Sequence, residues 1–518
     1  MLLKTLARDL VALPLRAWRA RRAAALQNVA LRQCDRGDRE AALATLKRAA
    51  SLDPKSASVR AFMGVVLLQL RSLDAALDHL RIAHDTDPQN GDILKLLVET
   101  LLQSGRYQKA LTICEAALRR DRAFYEAWTC LGLVYRRTHR SAEALECYER
   151  AVALNARDVD SMANRAIALS DLGRLDEALE ALEAVLAVSP DHVLARFHRG
   201  LARLSQGDYA QGWPDYELRL ASSDKPEIKA LAPRWEGAPL EGRSILVRGE
   251  QGLGDQIMFA SCLPELITNA ASCTIECERK LVALFGRSFP EARVHAIGET
   301  PADARHDFEV PLGSLPLHCR RTAQDFPRHP GYLKPDPARV REWRGKLHAL
   351  GPGLKIGISW RGGTALTRVA LRSIPLEGWE RLFALAGVRF VSLQYTDAAA
   401  AEVAALERSG GPSIVHWPEA IDDYDETAAL VAALDLTISV CTSVVHLAGA
   451  VGRPVWVLAP QAAEWRYGTR GEALPWYPSA RVFRQEHPDD WDSVLRRVAS
   501  ELHALQQYSF GGAGAVRH

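Results

Sequence analysis

The chain repeats itself every 34 residues, and this period constrains its fold more than any other feature of the sequence. Ala42, Ala76, Ala110, Ala144 and Ala178 share one phase; Ala49, Ala83, Ala117 and Ala151 share a second. Pro54, Pro88 and Pro190 close helical segments in register, in Leu-Asp-Pro, Thr-Asp-Pro and Val-Ser-Pro. Gly64, Gly132 and Gly200 recur at twice the period on the first helix of alternate repeats, where a small residue lets another helix approach. A pair of helices cannot bury its apolar face alone, so the pairs must stack, and the stack has a concave side.

These positions resemble the tetratricopeptide repeat, with Trp128, Leu131, Gly132, Tyr135, Ala144, Tyr148 and Ala151 as the fullest copy. The resemblance covers residues 24–222 and implies a protein or peptide ligand in the groove; a purely architectural array is the competing reading. The last copy keeps Gly200, Gly207, Tyr209 and Tyr216, but Gly212 replaces the usual alanine and Trp213-Pro214 comes next. The array is expected to end there, with Trp213 capping it or seating it against the next domain. Residues 1–23, basic at Lys4, Arg8, Arg16, Arg19, Arg21 and Arg22, read as a lead-in helix or as one resting on an anionic membrane surface.

The period is lost over 223–242, a Pro- and Gly-containing linker. Beyond it, short β-branched runs alternate with amphipathic helices, the pattern of α/β layers with parallel sheets. Strands are expected from Ser244, Cys273, Val294 and Phe308 in a first lobe (243–350), and from Lys355, Val388, Leu436 and Pro454 in a second (351–507). The run Trp491 to Leu505 reads as a final helix, and 508–518 as a Gly/Ala-rich tail without structure.

Composition narrows the function. The 518 residues carry 65 Lys+Arg against 63 Asp+Glu, a net charge of +2, with 48% hydrophobic residues. That balance describes a water-soluble multidomain protein and excludes a polybasic nucleic-acid binder. No run approaches the roughly 18 apolar residues of a transmembrane segment, and Pro14 and Arg16 interrupt any secretory leader, so the chain reads as cytoplasmic. The nine cysteines form no CxxC pair and read as buried thiols; Cys273 and Cys277 lack the second ligand pair of a zinc site, and no metal is expected.

Two turns carry chemistry. After the strand Ser244–Arg248, the sequence Gly249-Glu-Gln-Gly252-Leu-Gly254-Asp255 opens a helix, where glycines allow backbone N–H groups to approach an anion. Asp255 would sit at that helix start, ionised and facing a cleft, or would act only as a cap. The turn Cys441-Thr-Ser-Val-Val-His446 follows the strand Leu436–Val440 in the same way.

Five blocks, Gly252–Asp255, Ile358–Trp360, Arg372–Leu376, Ile438–Gly449 with Gly452-Arg-Pro, and Glu464–Gly468, look like bacterial proteins that fuse tetratricopeptide repeats to a heptosyltransferase-related GT-B glycosyltransferase domain. The resemblance implies an all-α superhelix followed by two Rossmann-like lobes, and sugar transfer from a nucleotide sugar without metal or cofactor. It implies Asp255 as general base, and Gly252, Gly254, Arg361, Arg372, Thr442, Ser443, Val444 and His446 around the donor phosphate, with orienting the loop as the competing role for His446. Cys441, Glu426, Trp465 and Arg466 would contact base or sugar, although capping for Glu426 and packing for Trp465 compete with those roles. Some such fusions glycosylate flagellin with a nonulosonic acid such as pseudaminic acid. Flagellin held by the repeats is therefore one expected acceptor. An envelope-polysaccharide glycosyltransferase and a non-enzymatic scaffold are the alternatives.

Cys441 departs from the aspartate usual in related sequences. Its loss implies either an inactive domain or an anionic donor sugar, which a second carboxylate would repel.

Overall fold

The structure, a computed structural model, describes residues 2–221, 230–301, 303–363, 369–396 and 398–511. The chain forms two compact units that divide between Pro190 and Asp191.

The first unit is a stack of helix hairpins. From Ala57–Gln69 to Leu175–Val188, helices of 13 and 14 residues alternate. They are preceded by Arg39–Leu52 and by Leu2–Asp35, which crosses the expected boundary at residue 23 without a break. Three of the four first helices from Ala57 onward in this unit start on side-chain caps: Ser56, Asn90 and Asp158 accept from the N–H three residues on, satisfying a donor the helix cannot, while Phe124 offers none.

The repeat phase has a steric cause. All nine phased alanines are buried, none more than 3% exposed, at the points where helices cross. A Cβ on Gly64 would stand 2.6 Å from Leu80 Cγ, and one on Gly132 2.7 Å from Tyr148 Cε1, so each glycine admits the second helix of its own hairpin. A further phase governs the turns. Gly37, Arg71, Gly105, His139 and Gly173 all have φ between 59° and 81°, at 34-residue spacing. The hairpin turn demands a left-handed residue, and the chain supplies glycine at three of these five sites.

The second unit opens with the helices Val193–Gln206 and Tyr209–Tyr216, which keep the repeat phase. The second helix has eight residues because Pro214 removes a donor and the chain tightens into a 3₁₀ turn over Glu217–Leu220. Linker residues 222–229 lie outside the described residues. Residues 230–242 are docked along a strand edge: Trp235 N donates to Glu309 O at 2.8 Å, and Glu309 N donates to Pro233 O at 2.8 Å.

The rest of the unit is built on two sheets. The strands β1 (Ser244–Arg248), β2 (Ser272–Cys277), β3 (Ala292–Ala296) and β4 (Phe308–Pro311) form a parallel sheet in the order β3-β2-β1-β4. The strands β5 (Leu354–Ser359), β6 (Val388–Ser392), β7 (Leu436–Val440), β8 (Val455–Ala459), β9 (Ala473–Leu474) and β10 (Tyr477–Arg484) form the second, in the order β6-β5-β7-β8-β10-β9. All pairings there are parallel except the bulged, antiparallel β10–β9 pair. Near-continuous burial along β1, β5 and β7 is that of strands covered on both faces.

The end of the chain differs from expectation. In the GT-B arrangement the resemblance implies, the final helix crosses back to the first lobe. The helix Trp491–Gly511 instead buries Val494, Leu495, Val498 and Leu502 with Ile356, Ile358 and Phe390 of the second sheet. It also extends into the segment expected to be unstructured; 512–518 lie outside the described residues. Among the described residues, no helix is long and apolar enough to cross a membrane.

Gly105 tests the turn constraint. Its φ is 72° and, its chain neighbours aside, no atom of the described residues stands within 4 Å of the position a Cβ would take, so a side chain there costs conformation alone. Gly105→Ala is expected to lower the stability of the full chain by about 1–2 kcal/mol in urea unfolding.

Candidate functional site

A cleft of about 620 Å³ opens beyond the carboxyl ends of the strands of both sheets, the place where parallel α/β folds gather ligand groups. Its lining reflects connectivity. Gly254 and Asp255 follow β1, Glu278 and Lys280 follow β2, Tyr395 follows β6, Cys441, Thr442, Ser443, Val444 and His446 follow β7, and Arg466 and Tyr467 follow β8.

Asp255 occupies the third position of the helix Leu253–Phe259. Its Oδ2 accepts from Gly252 N at 3.3 Å and its Oδ1 from Arg466 Nη2 at 2.5 Å. The capping reading is therefore present in the structure together with exposure to the cleft. Gly254 faces the turn after β7: a Cβ there would stand 2.9 Å from His446 Cδ2 and 3.3 Å from Ser443 Cα. That glycine lets the two helix starts meet.

Charges alternate across the cleft. Arg372 pairs with Glu464, and Arg466 pairs with Asp255. Burial alone would depress the Arg466 guanidinium, but Asp255 and Glu464 outweigh it and hold the group above its ordinary range. Arg372 Nε, Arg466 Nε and Glu464 Oε2 are buried atoms without a hydrogen-bond partner among the described residues.

The turn after β7 is built by its own residues. Thr442 caps the helix Ser443–Ala450, its Oγ1 accepting from Val444 N at 3.2 Å, so that one of the three amides expected to hold a phosphate is already engaged. Cys441 turns its buried thiol toward Leu458 O at 3.8 Å, and burial pushes that thiol well up. His446 lies between two phenols, with Nδ1 3.0 Å from Tyr477 Oη and Nε2 3.3 Å from Tyr467 Oη. Burial, with Arg466 adding to it, drives this histidine down to about 3, so the ring is neutral and holds the two tyrosines.

Nine of the residues named from sequence thus come together here: Gly254, Asp255, Arg372, Cys441, Thr442, Ser443, Val444, His446 and Arg466. Four are placed elsewhere. Gly252 is the cap before Asp255. Arg361 pairs with Glu402, which also accepts from Trp360 Nε1 at 2.7 Å. Glu426 accepts from Trp343 Nε1 at 2.8 Å and pairs with Arg339 at 3.0 Å, tying two helices. Trp465 is packed: its ring lies 5.5 Å from Trp213 and 5.4 Å from Tyr216. Glu278, Lys280, Tyr395, Asp422 and Tyr424 line the cleft without having been singled out. The first three directly follow strand ends, a signal the sequence carries.

A chain of tetratricopeptide repeats continuing into a parallel α/β region with a strand-end cleft is the class that fold and site define. Family models described as tetratricopeptide repeat match residues 28–91, 67–129 and 131–197. Protein FlbA of Caulobacter vibrioides is 32% identical over 494 residues, spanning 90% of this chain and 82% of that protein, and the chain belongs to the FlbA family. The Vi polysaccharide export protein VexE of Salmonella typhi is 33% identical over 117 residues, 21% of this chain and 18% of that protein. Among solved structures, Pseudomonas aeruginosa pilF is 21% identical with a TM-score of 0.31, covering 39% of this chain and 89% of that one.

The His446 shift predicts a pH dependence. Unfolded histidine binds its proton near 6.5 and the folded residue near 3, so between these values the unfolded state holds the extra proton and stability falls on acidification. The loss is expected to be about 1.4 kcal/mol per pH unit below 6.5. His446→Gln should remove this component, so the urea-unfolding gap between wild type and variant narrows from pH 7 to pH 5.

Proposed function

We propose that this protein is a GT-B glycosyltransferase that moves a sugar from a nucleotide donor to a hydroxyl of an acceptor protein held by the repeats. The observation that carries the reading is the cleft at the strand ends of two parallel sheets, where a carboxylate and two guanidinium groups meet a helix start. Asp255 takes the proton of the attacking hydroxyl as that oxygen bonds to the anomeric carbon and the bond to phosphate breaks. The nucleotide leaves with the electron pair, its charge met by Arg372, Arg466 and the start of the Ser443–Ala450 helix. Protonation of Asp255 weakens its hold on Arg466 as phosphate charge develops.

In this reading the nucleotide sugar is a co-substrate and no metal or cofactor takes part. Flagellin is the first acceptor to examine, and a nonulosonic acid the first sugar. The neutral Cys441 beside Arg372 and Arg466 supports an anionic donor, because nothing at that position repels it. The match to VexE favours a second reading in which the acceptor is an envelope polysaccharide.

Intact mass of surface proteins, flagellin first, separates these readings. Cells with the wild-type chain should carry an acceptor heavier by one or more sugar residues, and Asp255→Ala should return it to its polypeptide mass. Deletion without any mass change in those proteins rejects them as acceptors. A mass loss on deletion that Asp255→Ala does not reproduce rejects Asp255 as the base.

A further inference from the structure

Both partners that hold Asp255 lead back to the last repeat hairpin. On one side, Asp255 is tied to Gly252 N, and the residue before it, Gln251, has φ of 62°, a left-handed conformation that costs a non-glycine residue about 1 kcal/mol or more. Tyr216 Oη donates to Gln251 Oε1 at 3.0 Å. The residue before that, Glu250, accepts from Arg219 Nε at 3.2 Å on both carboxylate oxygens, in a buried fork that includes Arg219 Nη2. Arg219 Nη2 also donates to Ser314 Oγ at 2.8 Å, and Gly313 N donates to Glu250 Oε1 at 3.1 Å. A Cβ on Gly313 would stand 2.8 Å from that oxygen and 3.1 Å from Arg219 Nη2, so the network leaves room for glycine alone.

On the other side, Arg466 holds Asp255 Oδ1 and lies over the Trp465 ring at 5.4 Å. Trp465 meets Trp213 edge-on at 5.5 Å and Tyr216 at 5.4 Å. Trp213 in turn is fixed by donating Nε1 to Arg320 O at 2.7 Å. A short stretch of chain, from Trp213 to Arg219, thus supports both ends of the Asp255 carboxylate. A repeat that merely stopped beside the α/β region would need apolar contact only. A buried bidentate ion pair and a phenol hydrogen bond, both aimed at the loop that carries the carboxylate, are directional.

We propose that Tyr216 and Arg219 are positioning residues for Asp255, making the end of the last repeat hairpin a working part of the transfer site. The catalytic role of Asp255 rests on the function proposed above; the positioning does not. A chain begun after residue 222 would therefore lack a formed loop at 249–252, and whatever displaces the last hairpin would displace the carboxylate.

Hydrogen exchange of the full-length chain tests the positioning without reference to activity. Tyr216→Phe keeps the ring and removes only the hydroxyl, so the variant retains the aromatic packing. Exchange in the peptide spanning 249–255 should rise about fivefold, the weight of one hydrogen bond, with β1 and β5 peptides unchanged. Arg219→Lys, which keeps the charge and loses the fork, should give a larger rise in the same peptide. Unchanged exchange at 249–255 in both variants overturns the proposal. With the acceptor found by intact mass, kcat should fall about fivefold in Tyr216→Phe while both KM values hold. A rise in KM at constant kcat also overturns it, since that marks a binding contact. If the wild-type chain transfers no sugar, the functional reading fails and the exchange result alone decides the positioning.

Discussion

The second unit depends on the burial of Trp213. Its indole is 1% exposed, its one donor is satisfied by Arg320 O, and its edges meet Trp465 and Trp476. Tyr209, Tyr216, Phe259 and Phe326 complete the cluster. Aromatic side chains of this size remove large apolar areas from water, and edge-to-face pairs add roughly 0.5–1.5 kcal/mol each. Because Trp465 comes from the loop after β8 and Phe259 from the helix after β1, the same cluster joins both sheets to the helix that carries Trp213. The cleft lies on that foundation: Asp255 and Arg466 are each one short step along the chain from a member of the cluster.

The repeat was legible because its cause is steric and local. Each phased alanine marks a helix crossing where a larger residue would not fit, and that requirement leaves the same letter every 34 residues. The turn phase was harder to see, since a left-handed φ accepts Arg71 and His139 at a modest cost and so does not write glycine every time. The inner strands β1, β5 and β7 were legible for a similar reason, as runs buried on both faces are largely apolar, whereas β9 and β10 were not read from the sequence. The final helix was read as a helix but not its place, because an amphipathic pattern states that one face is buried and says nothing of which sheet buries it.

At the cleft, sequence located the turns and was less able to assign their side chains. A residue that follows a strand end lies near the site by connectivity, which is why Asp255 and Cys441 to His446 are found there. Arg361 also follows a strand end, yet Glu402, distant in sequence, draws its guanidinium away. Glu426 and Trp465 were ambiguous for the same physical reason: a carboxylate or an indole serves packing and recognition equally, and only its partner decides. Gly452, within one of the family-like blocks, answers to close approach, since a Cβ there would fall 1.7 Å from Pro330 O.

The second sheet ends on β9, two residues paired antiparallel across a bulge. A long, straight outer strand offers a row of open amides and carbonyls to any other extended chain. Two residues present too short a template to zip, and the bulge turns the neighbouring backbone off axis. That margin of the molecule is thereby a poor template for strand addition and for the cross-β growth that starts from it.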